Sequence, residues 1–295
     1  MAFTPAPPDV VALADARSVA RRAQDWATAD MLKTQIEAAG WRVIDAASLY
    51  TLERATPLDV DDGGKVRYGS SGSVPSRLDD EPLGVASVVL VATDWPDDLA
   101  RAMRALVEHS PDGTQLVIVA NAPSAEQAAT LDALDALDPG APGVITDVIW
   151  TSTRLGHAAA LNAGIRRAAA SVVLLLDTSV EPAGDLVSAV ATALADETVA
   201  VVGPVGVVSG DLRTFTDAPA GVTDVDAIEG YALAFRRADY EARGPLDEHF
   251  AFYRNLDIWW SLVLRDQGED DADDAPPRRA LRLTGVPITR HEHRG

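Results

Sequence analysis

Five apolar residues in a row, Val172 to Leu176, end on a carboxylate, Asp177, and this run constrains the fold more than any other stretch. It is short, continuous and bounded by polar residues, which suits a strand covered on both faces, as in a parallel α/β sheet. The residues before it read as a turn opened by Gly156 and a short Ala-rich helix carrying Asn162, Gly164 and Ile165. Asp177 then falls at the carboxyl end of the strand, where open α/β sheets place their ligands. A turn-former or helix cap is an equally good account of an acid there.

The neighbouring sequence repeats the theme. Ser87–Ala92 precedes a helical pattern over Asp97–His109, Gln115–Ala120 precedes one over Ala125–Leu137, and Val144–Trp150 leads into the helix after Gly156. A further helix is expected over Ala183–Ala195, then strands at Val199–Val202, Val205–Val208 and Ala232–Phe235. Strands alternating with helices predict an α/β domain with a parallel sheet, spanning residues 85–295. No G-x-G-x-x-G follows the first strand and no Walker lysine motif is present, so dinucleotide and P-loop signatures are missing.

Residues 229–268 run from a strand through a Gly turn into an amphipathic helix, with Asp257 at the helix start. The helix dipole favours a carboxylate there, and capping alone would explain it. Trp259 and Trp260 read as core or as an acceptor-facing wall, core being favoured. The acidic loop Gly268–Arg279 lacks the ligand spacing of an EF-hand. His291 and His293 would share one face if extended. Beside carboxylates they could ligate a divalent metal, and a polar tail explains them equally well.

At the other end, Leu13, Ala16, Val19, Ala20 and Ala23 form a helical stripe, with Asp9 as the expected N-cap. A second helix is predicted over Trp26–Ala39 with Gly40 at C′, followed by extended pieces at Trp41–Ile44 and Leu49–Leu52. Residues 1–55 are thus a helical hairpin with a short β appendage. Residues 56–84, rich in Gly, Ser, Pro and Asp, read as a linker. The run ARRAQDWATADMLKTQIEAAGWRVIDA resembles the C-terminal module of cysteinyl-tRNA synthetases, which lies near the tRNA anticodon. That resemblance implies a tRNA- or translation-associated role. However, six basic side chains stand against seven acidic ones in residues 1–55, and phosphate contacts need a positive face.

Charge and composition narrow the classes further. A net charge of −20 opposes nonspecific binding to nucleic acid or anionic lipid. It still permits an anionic nucleotide held by a metal ion or a helix N-terminus. With no cysteine there are no disulfides, thiolate metal sites or cysteine nucleophiles. No apolar run is long enough to cross a bilayer, and MAFTPAPPDV has neither the basic nor the apolar region of a secretory signal, so the cytoplasm is the expected location.

Taken in order, residues 86–295 resemble the family 2 glycosyltransferases with the GT-A, Rossmann-like nucleotide-diphospho-sugar transferase fold. The matching residues are Thr93-Asp94, Asn121, the G-x-x-x-A-x-N-x-G-I run from Gly156 to Ile165, Asp177 with Pro182, the Gly244…Asp247-Glu248…Phe250 segment, Asp257 and a late histidine. The resemblance implies transfer of a sugar from a nucleotide-sugar donor to an unidentified acceptor hydroxyl, with inversion. By position Asp257 would be the catalytic base. Thr93, Asp94, Asn121, Gly156, Asn162 and Asp177 would bind the nucleotide-sugar, and Asp177, His291 and His293 would hold Mg²⁺ or Mn²⁺. Three positions depart from the pattern. Ser179 replaces the second acid of D-x-D, Ala120 stands where many members use Asp to read the base, and Leu256 replaces the acid before the catalytic Asp. A catalytically degenerate nucleotide-binding or scaffold protein is the alternative these departures allow.

Overall fold

The computed structural model describes residues 6–46, 49–135, 144–252, 255–267 and 276–292, and its contacts divide the chain into two units, Met1–Leu58 and Asp59–Gly295. In the first unit α1 (Pro8–Arg22) and α2 (Trp26–Ala38) lead into β1 (Trp41–Ala46), which pairs antiparallel with β2 (Leu49–Arg54). Val10, Ala14, Ile36, Trp41 and Val43 form its small core. Asp9 is not the N-cap: α1 starts one residue earlier at Pro8, whose fixed φ and missing N–H suit a first helical position. Asp25 does cap α2, accepting the Thr28 N–H at 3.1 Å, and Gly40 takes φ 77° at C′ as expected. Arg17 and Arg21 both bind the Asp45 carboxylate, Arg17 through two bonds of 2.8 and 3.0 Å.

The second unit opens with β3 (Val60–Asp62) and β4 (Lys65–Tyr68), an antiparallel pair whose second strand runs parallel to β7 (Ile145–Thr151). Part of the stretch read as a linker is therefore sheet. Its strands are too short to show periodicity, and their support is distant: Lys65 and Arg67 lie over the Trp150 ring at 4.2 and 5.0 Å. The heart of the unit alternates β5 (Ser87–Ala92), α3 (Pro96–His109), β6 (Gln115–Ala120), α4 (Ala125–Asp135), β7, α5 (His157–Ile165) and β8 (Val172–Leu176). Strands β7, β6, β5 and β8 are neighbours in that order and all parallel.

The unbroken apolar runs are explained by cores on both faces. Val89, Val117 and Val173 belong to one cluster, and Val88, Leu116 and Leu174 to the other. Gly164 lets α5 lie directly on the sheet, since a Cβ there would come within 2.4 Å of Val89 Cγ1 and 3.0 Å of Val119 Cγ2.

After β8 come β9 (Val180–Pro182), α6 (Leu186–Leu194), β10 (Val199–Gly203), β11 (Gly206–Val208), β12 (Thr216–Asp217), β13 (Asp224–Val225) and β14 (Ala227–Ile228). The chain continues through β15 (Ala232–Arg236), α7 (Arg237–Arg243), α8 (Leu256–Arg265), β16 (Arg279–Arg282) and β17 (Ile288–Arg290). Among the described residues the main sheet has ten strands in the order β13-β16-β10-β15-β8-β5-β6-β7-β4-β3. It is mixed rather than wholly parallel, because β15 inserts antiparallel between β8 and β10. Helix α6 starts later than the sequence pattern suggests, since residues 180–182 are drawn into pairing with β17 and Asp185 then caps the helix through Ser188 N–H at 2.8 Å. Residues 268–275 of the acidic loop lie outside the described residues.

Candidate active site

Because β5, β6 and β8 are parallel, Thr93-Asp94, Asn121 and Asp177 all reach the same edge of the sheet. The antiparallel β15 brings a fourth group there. Ala232 is opposite Leu176, so Glu229, Gly230 and Tyr231 sit beside Asp177, whose N–H donates to Tyr231 O at 2.9 Å. The Asp177 side chain then closes its own turn: Oδ1 accepts the Ser179 N–H at 2.9 Å and the Ser179 hydroxyl. Pairing of β17 with β9 sets Arg290 opposite Val180, and the His291 N–H donates to Ser179 O at 2.9 Å.

These elements enclose a cavity of about 810 Å³ whose lining includes Asp177, Asp257, Glu229, His157, Arg290 and His291. Asp257 reaches it from the first turn of α8, launched by Asn255 in the left-handed conformation at φ 66°. Its Oδ2 accepts the Gly230 N–H at 2.7 Å and its Oδ1 the Ile258 N–H at 2.9 Å. Glycine eases this close approach, as a Cβ on residue 230 would lie 3.2 Å from Asp257 Cβ, a tight contact. Glu229 is half-buried, and burial together with the Asp257 charge pushes its carboxyl above the usual carboxylate range, partly offset by Arg290.

His157, the first residue of α5, donates its N–H to Ala251 O at 2.9 Å. Burial holds its imidazole below the ordinary histidine range, against the opposing pull of Asp177 and Asp257. The unfolded chain therefore takes up a proton at this residue at a pH where the folded protein does not. Stability is expected to fall as pH drops below about 6.5, the unfolded value, and to level off below the folded one. Thermal melts across that range should show the slope, and His157→Gln should flatten part of it.

Two of the expected donor-site residues make scaffold contacts and are not on the lining of this cavity. Asn121 is buried and wraps the loop after β7, with Oδ1 accepting the Leu155 N–H at 2.7 Å and Nδ2 donating to Leu155 O at 3.0 Å. Asn162 is also buried and clamps the Leu246–Glu248 segment, donating to Leu246 O at 2.8 Å and Glu248 Oε1 at 3.0 Å. Its Oδ1 accepts the Leu246 N–H at 3.0 Å and the Tyr240 hydroxyl at 3.1 Å. Gly156 lies against Ala251, where a Cβ would approach Cα to 3.1 Å. Asp94 is exposed at the sheet edge and pairs with Arg154 at 2.7 Å, and the carbonyl of neighbouring Thr93 accepts the Ser124 N–H at 3.0 Å. Leu256 is buried core, which explains an apolar residue before Asp257.

The expected metal ligands do not form a ready site. His293 lies outside the described residues. The His291 Nε2 is 2.6 Å from Glu181 Oε2, so that nitrogen is engaged, and the Ser179 hydroxyl occupies one Asp177 oxygen. Among the described residues no three His, Asp or Glu side chains gather as a metal site. The donors among the described residues do not fit a resident divalent ion.

Sequence reasoning did not single out Glu229, His157 or Arg290. The available signals were local: Glu229-Gly230-Tyr231 immediately precedes a strand, and Arg290 immediately precedes the histidine already singled out.

The model of glycosyl transferase family 2 matches residues 87–255, over half of the chain. The chain belongs to this family. Solved structures of similar fold include a mannosyltransferase of Pyrobaculum calidifontis in complex with GDP-Man and Mn²⁺. It is 20% identical with a TM-score of 0.51, covering 72% of this chain and 58% of that one. GalNAc-T7 with UDP, GalNAc and Mn²⁺ is 16% identical at a TM-score of 0.55, covering 71% and 44%. S. aureus TarS residues 1–349 with UDP is 11% identical at 0.51, covering 68% and 58%. At these identities the likeness is one of fold, and it makes the α/β unit of this family 2 member a GT-A domain. The chain spans about half the length of those solved chains. A cysteine–tRNA ligase of Opitutus terrae is 49% identical over 49 residues, 17% of this chain and 11% of the ligase. Among the described residues no helix is long and apolar enough to cross a membrane.

Proposed function

We propose that this family 2 member transfers a sugar from a nucleotide-sugar donor to an acceptor hydroxyl with inversion, using Asp257 as base. The observation that carries this reading is the meeting of Asp177 and Asp257, far apart in sequence, on one cavity of about 810 Å³, a size suited to a nucleotide-sugar. Asp257 takes the acceptor proton as the acceptor oxygen bonds to the anomeric carbon. The bond from that carbon to the diphosphate oxygen breaks, and the nucleoside diphosphate leaves with the electron pair. The Gly230 and Ile258 amides fix the carboxylate and leave each oxygen a further lone pair for that proton. Asp177 orients the donor at the strand end, its side chain fixed by Ser179.

Binding of donor by relatives supports the choice of substrate class: structures of similar fold hold GDP-Man or UDP. A divalent ion, where one takes part, would enter with the donor's phosphate oxygens rather than wait in the protein. For tRNA association the first unit offers little, because Arg17 and Arg21 are both spent on Asp45.

A thermal-shift panel of nucleoside diphosphates and nucleotide-sugars, with and without Mn²⁺, tests the reading. Ligand at about 100 times its dissociation constant should add about 2.7 kcal/mol of stability. A shift with no turnover by any acceptor would favour the degenerate binding protein, and no shift from any ligand would sink both.

A further inference from the structure

The cavity has an electrostatic problem. Asp177, Glu229, Asp257 and Glu292 all line it, in a chain of net charge −20, and a nucleotide-sugar brings a diphosphate dianion. Of the two imidazoles on the described lining, burial lowers the proton affinity of His157 and His291 faces Glu181. Among the described residues the permanent cation on the lining is Arg290.

Its setting is unlike that of most other arginines in the unit. Arg101, Arg154, Arg167, Arg236, Arg278 and Arg279 each pair with a carboxylate at 4.0 Å or less. Among the described residues Arg290 pairs with none, and its guanidinium instead lies 3.4 Å above the Tyr231 ring. The stack fixes the plane of the fork while leaving its edge N–H groups for an anion. The backbone is fixed as well, since β17 holds Arg290 opposite Val180, directly after the Asp177–Ser179 turn, and Tyr231 O accepts the Asp177 N–H. A guanidinium presents paired donors that match phosphate oxygens.

We infer that Arg290, stacked on Tyr231, is the group that binds the donor's diphosphate and carries the charge of the departing nucleoside diphosphate, in place of a resident metal ion. This rests on the donor-binding reading above. Stabilising charge as it develops on the leaving oxygen is catalysis in the transition state, so the same contact serves both binding and rate.

The test is calorimetric titration of UDP, GDP and the corresponding nucleosides into wild type, Arg290→Gln and Arg290→Lys, in EDTA and in Mn²⁺. Wild type should bind one of the diphosphates in EDTA. Arg290→Gln should weaken that binding roughly tenfold to a hundredfold, as expected for loss of a charged hydrogen-bond pair. Arg290→Lys should recover part of it, and nucleoside binding and the melting temperature without ligand should stay as in wild type. Diphosphate binding that requires Mn²⁺ and ignores Arg290→Gln would overturn the inference while leaving the donor reading intact. No diphosphate binding under any condition would overturn the donor reading itself, and this inference with it.

Discussion

Asp257→Asn is expected to lower kcat/KM for sugar transfer by about 10²- to 10⁴-fold, the usual contribution of a positioned general base. Donor affinity should be unchanged, because the step lost is removal of the acceptor proton. The substitution keeps shape and volume. It exchanges a carboxylate that accepts from the Gly230 and Ile258 amides at 2.7 and 2.9 Å for an amide that can accept from only one of them. One exposed-side N–H then turns to water, at a cost of about 1 kcal/mol or less. Activity and stability should therefore separate: a nucleotide-release assay with acceptor shows the collapse, and thermal melts show a small shift. If more than about a tenth of the transfer rate survives, Asp257 is a helix-start residue and the base lies elsewhere.

Glu229 is the other carboxylate to watch in such an experiment. It sits beside the amide that fixes Asp257, and burial and the Asp257 charge both raise its proton affinity. Neutralising Asp257 removes one of those two causes, so Asp257→Asn should bring Glu229 closer to an ordinary glutamate. A residual activity whose pH profile shifts toward acid in the variant would report that coupling.

The legible parts of this chain were those whose cause is local. Val172–Leu176, Ser87–Ala92 and Gln115–Ala120 are buried on both faces, and their composition says so directly. Asp177 follows one of these strands and Asp257 starts a strongly amphipathic helix, so both could be placed without a partner in view. The short strands β3, β4, β9 and β17 could not. Three or four residues carry no period, and each is a strand only because a distant segment supplies the ladder. Glu229 and Arg290 reach the cavity through such long-range pairing, β15 against β8 and β17 against β9. Asn121 and Asn162 show the opposite limit. Residue type and spacing identify an amide that matters, but a ligand contact and a backbone clamp use the same donors and acceptors.

That ambiguity makes Asn162→Ala the decisive substitution on the scaffold side. The side chain is 2% exposed and makes four hydrogen bonds, to Leu246 O at 2.8 Å, Glu248 Oε1 at 3.0 Å, Leu246 N at 3.0 Å and the Tyr240 hydroxyl at 3.1 Å. Truncation strands both backbone groups of Leu246 and a tyrosine hydroxyl whose ionisation burial already suppresses. Each stranded group costs about 1–3 kcal/mol, and partial relaxation brings the expected total to about 3–5 kcal/mol. Urea titration should show a lower midpoint with an unchanged slope. The segment so released also supplies Phe250 O and Ala251 O, which accept the Ala158 and His157 amides at 3.1 and 2.9 Å and so hold the first turn of α5. Loosening it should slacken the His157 wall of the cavity without touching Asp177 or Arg290. Nucleoside diphosphate affinity, measured well below the melting temperature, should thus stay within about threefold of wild type, since no ligand contact is removed. Normal stability with lost diphosphate binding would be the reverse pattern, and it would return Asn162 to the donor site where its motif suggested it belonged.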